Sequence, residues 1–269
     1  MPGDSLAGAV AAGHPSWGRG AVLASASVCL YWAGMALNDF ADRNVDTRER
    51  PQRPIPSGRV TPAQALTVAG GLTGAGLALA GAAGGWRTLG VAVPLAGVVW
   101  VYDLRAKAHP VGGPAAMAAA RALDVLLGAG VGRLRAAAPA AVVLGVHTAV
   151  VSALSRAEVA GASRGRLGAT VAATAAVAAL AARSGAPGAQ KPATAALAMY
   201  LAYFAGAQAR AAADRGRPHS VRQAVAAGIT GMLPLQALCA ARAGSSPVAT
   251  GLLAGMPVAR RLFRLVCPT

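Results

Sequence analysis

The chain alternates between long apolar runs and short polar segments that hold most of its charged residues. A helix that crosses the hydrocarbon core of a bilayer needs about 20 mostly apolar residues. Nine runs reach or approach this length, so the pattern predicts an all-α, multi-pass transmembrane helical bundle of about nine spans, in one domain over residues 1–269. The runs cover residues 20–37, 62–83, 88–102, 111–131, 139–154, 167–182, 193–212, 221–241 and 247–266.

The character of these runs excludes other classes of protein. They are continuous rather than alternating, which argues against the strands of a membrane β-barrel. Apolar residues make up 55% of the chain, charged residues 13%, and the mean hydropathy is +0.49, which favours an integral membrane protein over a soluble enzyme. Residues 1–18 hold only a short apolar piece at 6–12. This piece predicts neither a signal peptide nor a full span, and it indicates a first helix that lacks its beginning.

The chain is strongly basic, with a formal charge of +16, but its cations lie in clusters between the apolar runs. Aromatic residues are only 4% of the chain, so no basic surface with interleaved aromatics indicates a nucleic-acid partner. Alternate loops differ in cation content, and one set holds 17 lysines and arginines. By the positive-inside rule this richer set faces the cytoplasm, in a bacterial-type cell membrane. The poorer set consists of Arg19, Arg87, Arg133, Arg135, Arg183, Lys191 and Arg242.

The most charged segment, residues 38–58, follows directly on the first apolar run. It holds four of the nine acidic residues, and five arginines lie within it or directly after it. On a helix, Asn38, Asp42 and Asp46 are spaced i, i+4, i+8 and share one face. Three oxygen ligands beside arginines suit a diphosphate bound through Mg²⁺, which prefers hard oxygen ligands. The alternative interpretation is that the carboxylates only solvate the end of a membrane helix.

This segment resembles the donor site of the UbiA superfamily of intramembrane prenyltransferases. The resemblance rests on the motif Asn-Asp-x-x-Asp-x-x-x-Asp at residues 38–46, followed by Arg-Pro-x-Pro-Ser-Gly at residues 53–58. It implies transfer of a prenyl group from an isoprenoid diphosphate donor to an acceptor, a small molecule or a lipid that the sequence does not identify. It implies Mg²⁺ as cofactor, with Asn38, Asp39, Asp42 and Asp46 at the metal, Asp42 and Asp46 catalytic, and Arg43 and Arg53 on the diphosphate.

A second polar segment, residues 102–107, reads Tyr-Asp-Leu-Arg-Ala-Lys. Members of the superfamily often have a tyrosine and a lysine here, and the resemblance implies that the lysine binds phosphate. The separation is one residue longer than in the commonest version, so either Arg105 or Lys107 is the candidate. The alternative is a basic anchor at a helix end, which sets topology only.

A third segment, residues 154–161, departs from the superfamily pattern. A typical member has a second aspartate-rich motif here that holds a second Mg²⁺, whereas this chain has one acid, Glu158. One metal ion, or one metal ion together with arginines, is therefore the expectation. Glu158 is the one acid of the second motif that remains as a candidate ligand. The form Ser-Arg-x-Glu-Val, the Tyr-Asp element and residues 121–128 are similar to the EboC-like subgroup, in which an asparagine is usual where Asp124 stands.

Two charged residues and one histidine lie inside predicted spans. Arg121 and Asp124 are spaced i, i+3, so they can pair on one helix face, either to polarise a substrate or as a structural salt bridge. His147 lies alone in an apolar run and is interpreted as a hydrogen-bonded packing residue.

The leading hypothesis is thus a membrane prenyltransferase whose active site faces the cytoplasm. A terpene cyclase on the same scaffold is the first alternative, because both reactions begin with ionisation of the diphosphate. A non-catalytic membrane assembly protein or transporter is the second. Pro94 and Pro234 lie within spans, as in broken transporter helices, but the two halves of the sequence do not match.

Overall fold

The computed structural model describes residues 2–13, 17–130, 133–183, 189–259 and 261, and these residues form helices joined by turns and loops, with no strand. The all-helical fold class is therefore confirmed. The helices are α1 Pro2–Ala11, α2 Trp17–Glu49, α3 Pro62–Val101, α4 Gly112–Ala129, α5 Leu134–Ser155, α6 Arg164–Ala182, α7 Gln190–Tyr200, α8 Gly206–Ala213, α9 Pro218–Arg242 and α10 Ser246–Ala254. Two π-helical turns, Tyr102–Ala106 and Leu201–Ala205, extend α3 and join α7 to α8.

The helices follow the apolar runs with few exceptions. The runs 62–83 and 88–102 share α3, whose backbone leaves the helical region at Gly84 and Gly85, where Gly85 has a φ of 66°. The last run, 247–266, reaches past residue 261 and so ends outside the described residues. In the described part of the chain, five helical segments are long and apolar enough to cross a membrane. They are Gly18–Glu49, Pro62–Ala106, Leu134–Ser155, Arg164–Ala182 and Pro218–Arg242.

The loop between α2 and α3 ends in a capping box at the start of α3. At its end, Thr61 caps α3: its side chain accepts from the Gln64 backbone N–H, and the Gln64 side chain accepts from the Thr61 backbone N–H. Pro62 follows in the first turn, where its missing N–H costs nothing. This capping box starts α3 at a defined residue, shortly after the Arg-Pro-x-Pro-Ser-Gly segment of residues 53–58, which we call the arginine-proline loop.

Small residues bring α1 into close contact with α4. A Cβ added to Gly8 would collide with the Val125 carbonyl oxygen, and one added to Gly128 would collide with the backbone of Ser5. Because membrane helices gain stability from close packing rather than from hydrophobic burial, such glycines determine which helices meet. The short helix α1 is therefore packed into the bundle, with its Asp4 and Ala7 side chains fully buried.

Replacing Gly128 with alanine is expected to lower the free energy of unfolding by about 1–3 kcal/mol, because the added methyl group pushes α1 away from α4. The matched control is Gly70→Ala in α3, where an added Cβ meets no atom within 4 Å and the alanine favours the helix. Unfolding by SDS titration in mixed micelles measures both. Equal stabilities for the two variants would contradict the α1–α4 contact.

The packing role expected for His147 matches its surroundings. The imidazole is fully buried and bonds through Nδ1 to the Tyr200 hydroxyl and through Nε2 to the Gly228 carbonyl, each at 3.0 Å. Its ring also lies edge-on to Phe204, 5.0 Å between centroids. These contacts join α5 to α9 and to the segment that contains α7.

Candidate active site

The acidic segment forms the last turns of α2, which stays helical through Glu49. Asn38, Asp42 and Asp46 therefore share one helix face. Asp46 is 3% exposed, Asn38 and Asp42 are half-buried, and Glu49 is exposed. Carboxylates are thus held at a helix end that is partly shielded from solvent, where electrostatic interactions are stronger than in bulk water.

The π-helical turn after α3 lies against this face. The Lys107 ammonium forms an ion pair with the Asp42 carboxylate. The Asn38 amide donates through Nδ2 to Asp103 Oδ1 at 3.1 Å. Of the two phosphate candidates, Lys107 therefore contacts the acidic helix, whereas Arg105 is exposed.

The π-helical turn explains how a sequence one residue longer still presents its lysine. The Lys107 backbone N–H bonds to the Tyr102 carbonyl at 2.9 Å, five residues back rather than four. A π turn accommodates one additional residue per turn, so the helix absorbs the extra residue locally. Lys107 consequently remains directed at α2.

Asp103, the acid of the Tyr-Asp element, belongs to this site although the sequence pattern did not predict it. Its side chain is only 4% exposed, and it accepts the hydrogen bond from Asn38. The available signal was the carboxylate itself, because an acid at the end of an apolar span is costly unless it is paired. The sequence did not indicate that Asn38 is the hydrogen-bond partner of this carboxylate.

The arginine-proline loop folds back onto α2. Arg53 donates through Nη1 to Asp39 Oδ1 at 2.7 Å, in a pair that is partly exposed. Arg43 instead stays on its own helix, where it donates to the Phe40 carbonyl at 2.7 Å and its guanidinium lies 4.4 Å from the Phe40 ring centroid. The two predicted diphosphate arginines therefore differ, since only Arg53 pairs with an acidic side chain of the motif.

A cavity of about 270 Å³ opens between α2, α3 and α4 directly below this cluster. Asn38 and Asp103 line one part of it, and Ser27, Arg121 and Asp124 line another. Leucine, valine and methionine side chains form most of the wall between them. Ser27 and Asn38 are eleven residues apart on α2, so the two polar parts are separated by about 16 Å along the helix.

Arg121 forms its ion pair with a residue other than Asp124, the partner that the i, i+3 spacing made possible. Arg121 Nη1 lies 2.5 Å from Asp4 Oδ2, across the contact between α4 and α1. The Gln236 side chain of α9 donates to the other oxygen of Asp4 at 2.7 Å. The close packing of α1 on α4 places Asp4 against Arg121. The ion-pair partner of Arg121 is therefore 117 positions away in the sequence rather than three. Sequence reasoning missed both Asp4 and Gln236.

Glu158 lies in the loop after α5, and this loop contacts the residues that follow the π-helical turn through Arg156. The neighbouring Arg156 donates to the carbonyls of Lys107 and Ala108 at 3.2 and 3.1 Å, and Arg222 donates to the Glu158 carbonyl at 3.1 Å. Partial burial raises the pKa of the Glu158 carboxyl, and the positive charge of Arg222 acts in the opposite direction. No hydrogen bond or ion pair in the described part of the chain joins this carboxyl to α2.

The donor set of this site fits Mg²⁺ in one particular way. Among the described residues no three histidine, cysteine, aspartate or glutamate side chains form a ready metal cluster. Mg²⁺ does not require one, because it commonly binds one or two carboxylates together with substrate phosphates and water. Asp42, Asp46 and the Asn38 amide oxygen provide that number of protein ligands on one helix face.

Comparison with known proteins gives matches of family and of fold. The family described as the UbiA prenyltransferase family matches residues 5–160. Digeranylgeranylglyceryl phosphate synthase of Methanothrix thermoacetophila is 39% identical over 89 residues, 33% of each chain. The bacteriochlorophyll synthase 33 kDa chain of Rhodobacter capsulatus is 36% identical over 107 residues, 37% of this chain and 34% of that protein. The match thus spans about a third of the length of these relatives.

The fold is also shared with a solved structure. The apo structure of a UbiA homolog from Aeropyrum pernix K1 superposes with a TM-score of 0.68 over 85% of this chain and 92% of that chain, at 20% identity. At that identity the likeness shows the fold alone. Together with the five apolar helices of membrane-spanning length, this fold is that of an integral membrane protein.

Proposed function

The chain belongs to the UbiA prenyltransferase family, and from that premise we propose that it is a Mg²⁺-dependent membrane enzyme that transfers a prenyl group from an isoprenoid diphosphate to a small-molecule or lipid acceptor. One observation carries the proposal: Asn38 and Asp103, which are hydrogen-bonded to each other, line an apolar cavity, and Asp42, one helical turn further along α2, pairs with Lys107. Metal ligands, a phosphate-binding cation and a prenyl pocket are the three parts that such a reaction needs.

At the donor end, Asn38, Asp42 and Asp46 are the proposed ligands of Mg²⁺. A bound Mg²⁺ supplies positive charge that neutralises the diphosphate and makes it a better leaving group. A carboxylate only accepts hydrogen bonds, so Asp103 must receive the amide nitrogen of Asn38, which leaves the amide oxygen for the metal. Asp103 is therefore a positioning residue in this proposal.

The cations around this end are proposed to hold the departing diphosphate. Lys107 pairs with Asp42, and Arg53 pairs with Asp39, so both cations lie beside the acidic end of α2. Arg43 and Arg105 are proposed to contribute positive potential at longer range. Glu158 is proposed as a peripheral metal ligand from the neighbouring loop, which makes one fully formed metal site the expectation.

The cavity is proposed to hold the prenyl chain and to exclude water from the allylic cation. Its apolar wall leaves few groups that could capture the cation before the acceptor does. Arg121 and Asp124 are proposed to orient and polarise a polar group of the acceptor, because they line the part of the cavity that is distant from the diphosphate. The relatives differ in the acceptor their names indicate, so the family leaves the acceptor open.

Three wider assignments are part of this proposal. The 17 cations in the loops on the side of Asn38, against seven on the other, support an active site that faces the cytoplasm of a bacterial-type cell. The whole chain is proposed to act as one domain. The Ser-Arg-x-Glu-Val segment at residues 155–159 and the Tyr-Asp element at 102–103 support the EboC-like subgroup.

A terpene cyclase is the second candidate, and the cavity gives it one specific support. Tyr31 and Tyr102 line the same cavity as Asn38 and Asp103, and aromatic faces stabilise cations. In a cyclase the cation would be captured by double bonds of the prenyl chain itself rather than by an acceptor.

The test is incubation of the purified protein, in lipid vesicles with Mg²⁺, with labelled geranyl, farnesyl and geranylgeranyl diphosphates and a host lipid extract. We expect diphosphate release together with a labelled product whose mass is that of an acceptor plus the prenyl group. A labelled hydrocarbon or alcohol formed without extract would identify a cyclase. Release of diphosphate from none of the three donors would contradict both enzyme assignments.

A further inference from the structure

We call the carboxylates at the end of α2 (Asp39, Asp42, Asp46 and Glu49) the acidic cluster, and a second cavity, of about 370 Å³, lies at the opposite end of the bundle. We call it the distal cavity. It is bounded by the last residue of α1, the first turns of α5 and the ends of α6 and α9. Since Glu158 follows the other end of α5, which is 22 residues long, the distal cavity and the Glu158 loop are separated by about 33 Å along that helix.

The distal cavity combines an apolar wall with two arginines at its rim. Its wall includes Ala140, Val143 and Leu180, and its rim includes Arg183 and Arg242. Arg183 is exposed, whereas Arg242 is half-buried and its Nε is shielded from solvent without a hydrogen-bond partner. A buried donor that makes no hydrogen bond is costly, so this group is expected to be satisfied by a ligand.

Among the described residues, every charged side chain in the loops and helix ends on this side of the bundle is basic. They are seven lysines and arginines, with no acidic residue in the described part of these segments. All nine acidic residues lie elsewhere: Asp4 bonds to Arg121, four are in the last turns of α2, and the others are Asp103, Asp124, Glu158 and Asp214. Among the described residues no carboxylate forms an ion pair with Arg183 or Arg242, and arginine stays protonated at neutral pH, so both cations are available to an external anion.

The depth of the distal cavity indicates which anion is available to these two arginines. Helix α5 is about as long as the hydrocarbon core is thick, roughly 30 Å, so its first turn lies near the lipid head groups. Phosphate is the anion at that depth, and it accepts hydrogen bonds from a guanidinium in a fork geometry. The alanine, valine and leucine side chains below the arginines offer an apolar surface to an acyl chain.

We propose that the distal cavity is a binding site for an anionic phospholipid, with the phosphate at Arg183 and Arg242 and part of one acyl chain against α5. The site is independent of the proposed catalytic activity, because no residue of the acidic cluster takes part. The two arginines could bind the phosphate group of a lipid or a free phosphate ion in the same way. The apolar wall favours the lipid, because only the lipid has an acyl chain to cover it.

The proposal is tested by native mass spectrometry of the full chain in detergent, with added phosphatidylglycerol, phosphatidylcholine or inorganic phosphate. We expect the protein to retain phosphatidylglycerol in preference to phosphatidylcholine. The variant Arg242→Gln should bind it about tenfold more weakly, the factor that loss of one charge-assisted hydrogen bond predicts. Inorganic phosphate should fail to displace the lipid.

The matched control is Arg87→Gln, which removes the same charge from the same end of the bundle but away from the cavity, where Arg87 lies over the Trp86 ring. It should retain the lipid as the wild type does. If Arg242→Gln and Arg87→Gln lost phosphatidylglycerol to the same extent, the lipid would be held by the general positive charge of this end and not by the distal cavity. If inorganic phosphate displaced the lipid, the cavity would be an anion site that does not require the acyl chain. Arg242→Lys, which keeps the charge, should bind more tightly than Arg242→Gln, and circular dichroism confirms that each variant is folded.

Discussion

Replacing Asp42 with asparagine is expected to lower the rate of diphosphate release by about 10²–10³-fold, the loss typical when one group that stabilises the developing charge is removed. The variant keeps the side-chain shape and a hydrogen-bond acceptor for Lys107, but it removes one of the negative charges proposed to hold Mg²⁺. The measurement is release of diphosphate from the prenyl donor that the wild type uses best. The Mg²⁺-dependent rise in the thermal unfolding midpoint should be lost in parallel, which is a readout that needs no turnover.

Two further variants make this result interpretable. Glu49→Gln removes an exposed carboxylate from the same helix and should leave both the rate and the Mg²⁺ response unchanged. Glu158→Gln should shift the Mg²⁺ concentration that gives half the maximal rate, with little loss at saturating Mg²⁺, if this residue is a peripheral ligand. Unchanged turnover in Asp42→Asn would remove Asp42 from the proposed metal site, whatever Glu158 does.

Replacing Asp4 with alanine is expected to lower the free energy of unfolding by about 3–5 kcal/mol, the cost of leaving one member of a buried ion pair without its partner. Asp4 is fully buried and accepts hydrogen bonds from both Arg121 and Gln236, so it links α1 to α4 and α9. Its loss leaves a guanidinium with only 12% of its side chain exposed. SDS titration in mixed micelles measures the change.

The control is the double variant Asp4→Leu with Arg121→Met. Replacing both members of a buried pair by apolar side chains is often neutral or stabilising, so this variant should recover most of the stability lost in Asp4→Ala. Recovery of stability without recovery of turnover would also support the proposed role of Arg121 at the acceptor. A double variant as unstable as the single one would show that the packing of α1, rather than the ion pair, is what Asp4 maintains.

The sequence alone was sufficient to predict the all-helical fold class and the arrangement of the acidic motif on one helix face. Long apolar runs can satisfy their backbone groups in a bilayer only as helices, which is why the all-helical bundle was predictable. The spacing of Asn38, Asp42 and Asp46 determined that they share a face, because the helical period is the same wherever the helix lies. The contacts of His147 likewise agree with the packing role that a lone histidine in an apolar run suggests.

The tertiary structure alone decided which faces meet. Lys107 rather than Arg105 contacts the acidic helix because a π-helical turn absorbs one residue, and Asp103 becomes the partner of Asn38 only where α3 crosses α2. Arg121 bonds to Asp4, 117 residues away, because glycines let α1 lie directly on α4. Periodicity determines the neighbours of a residue along its own helix, but the neighbours across a helix contact depend on backbone approach, which no local pattern contains.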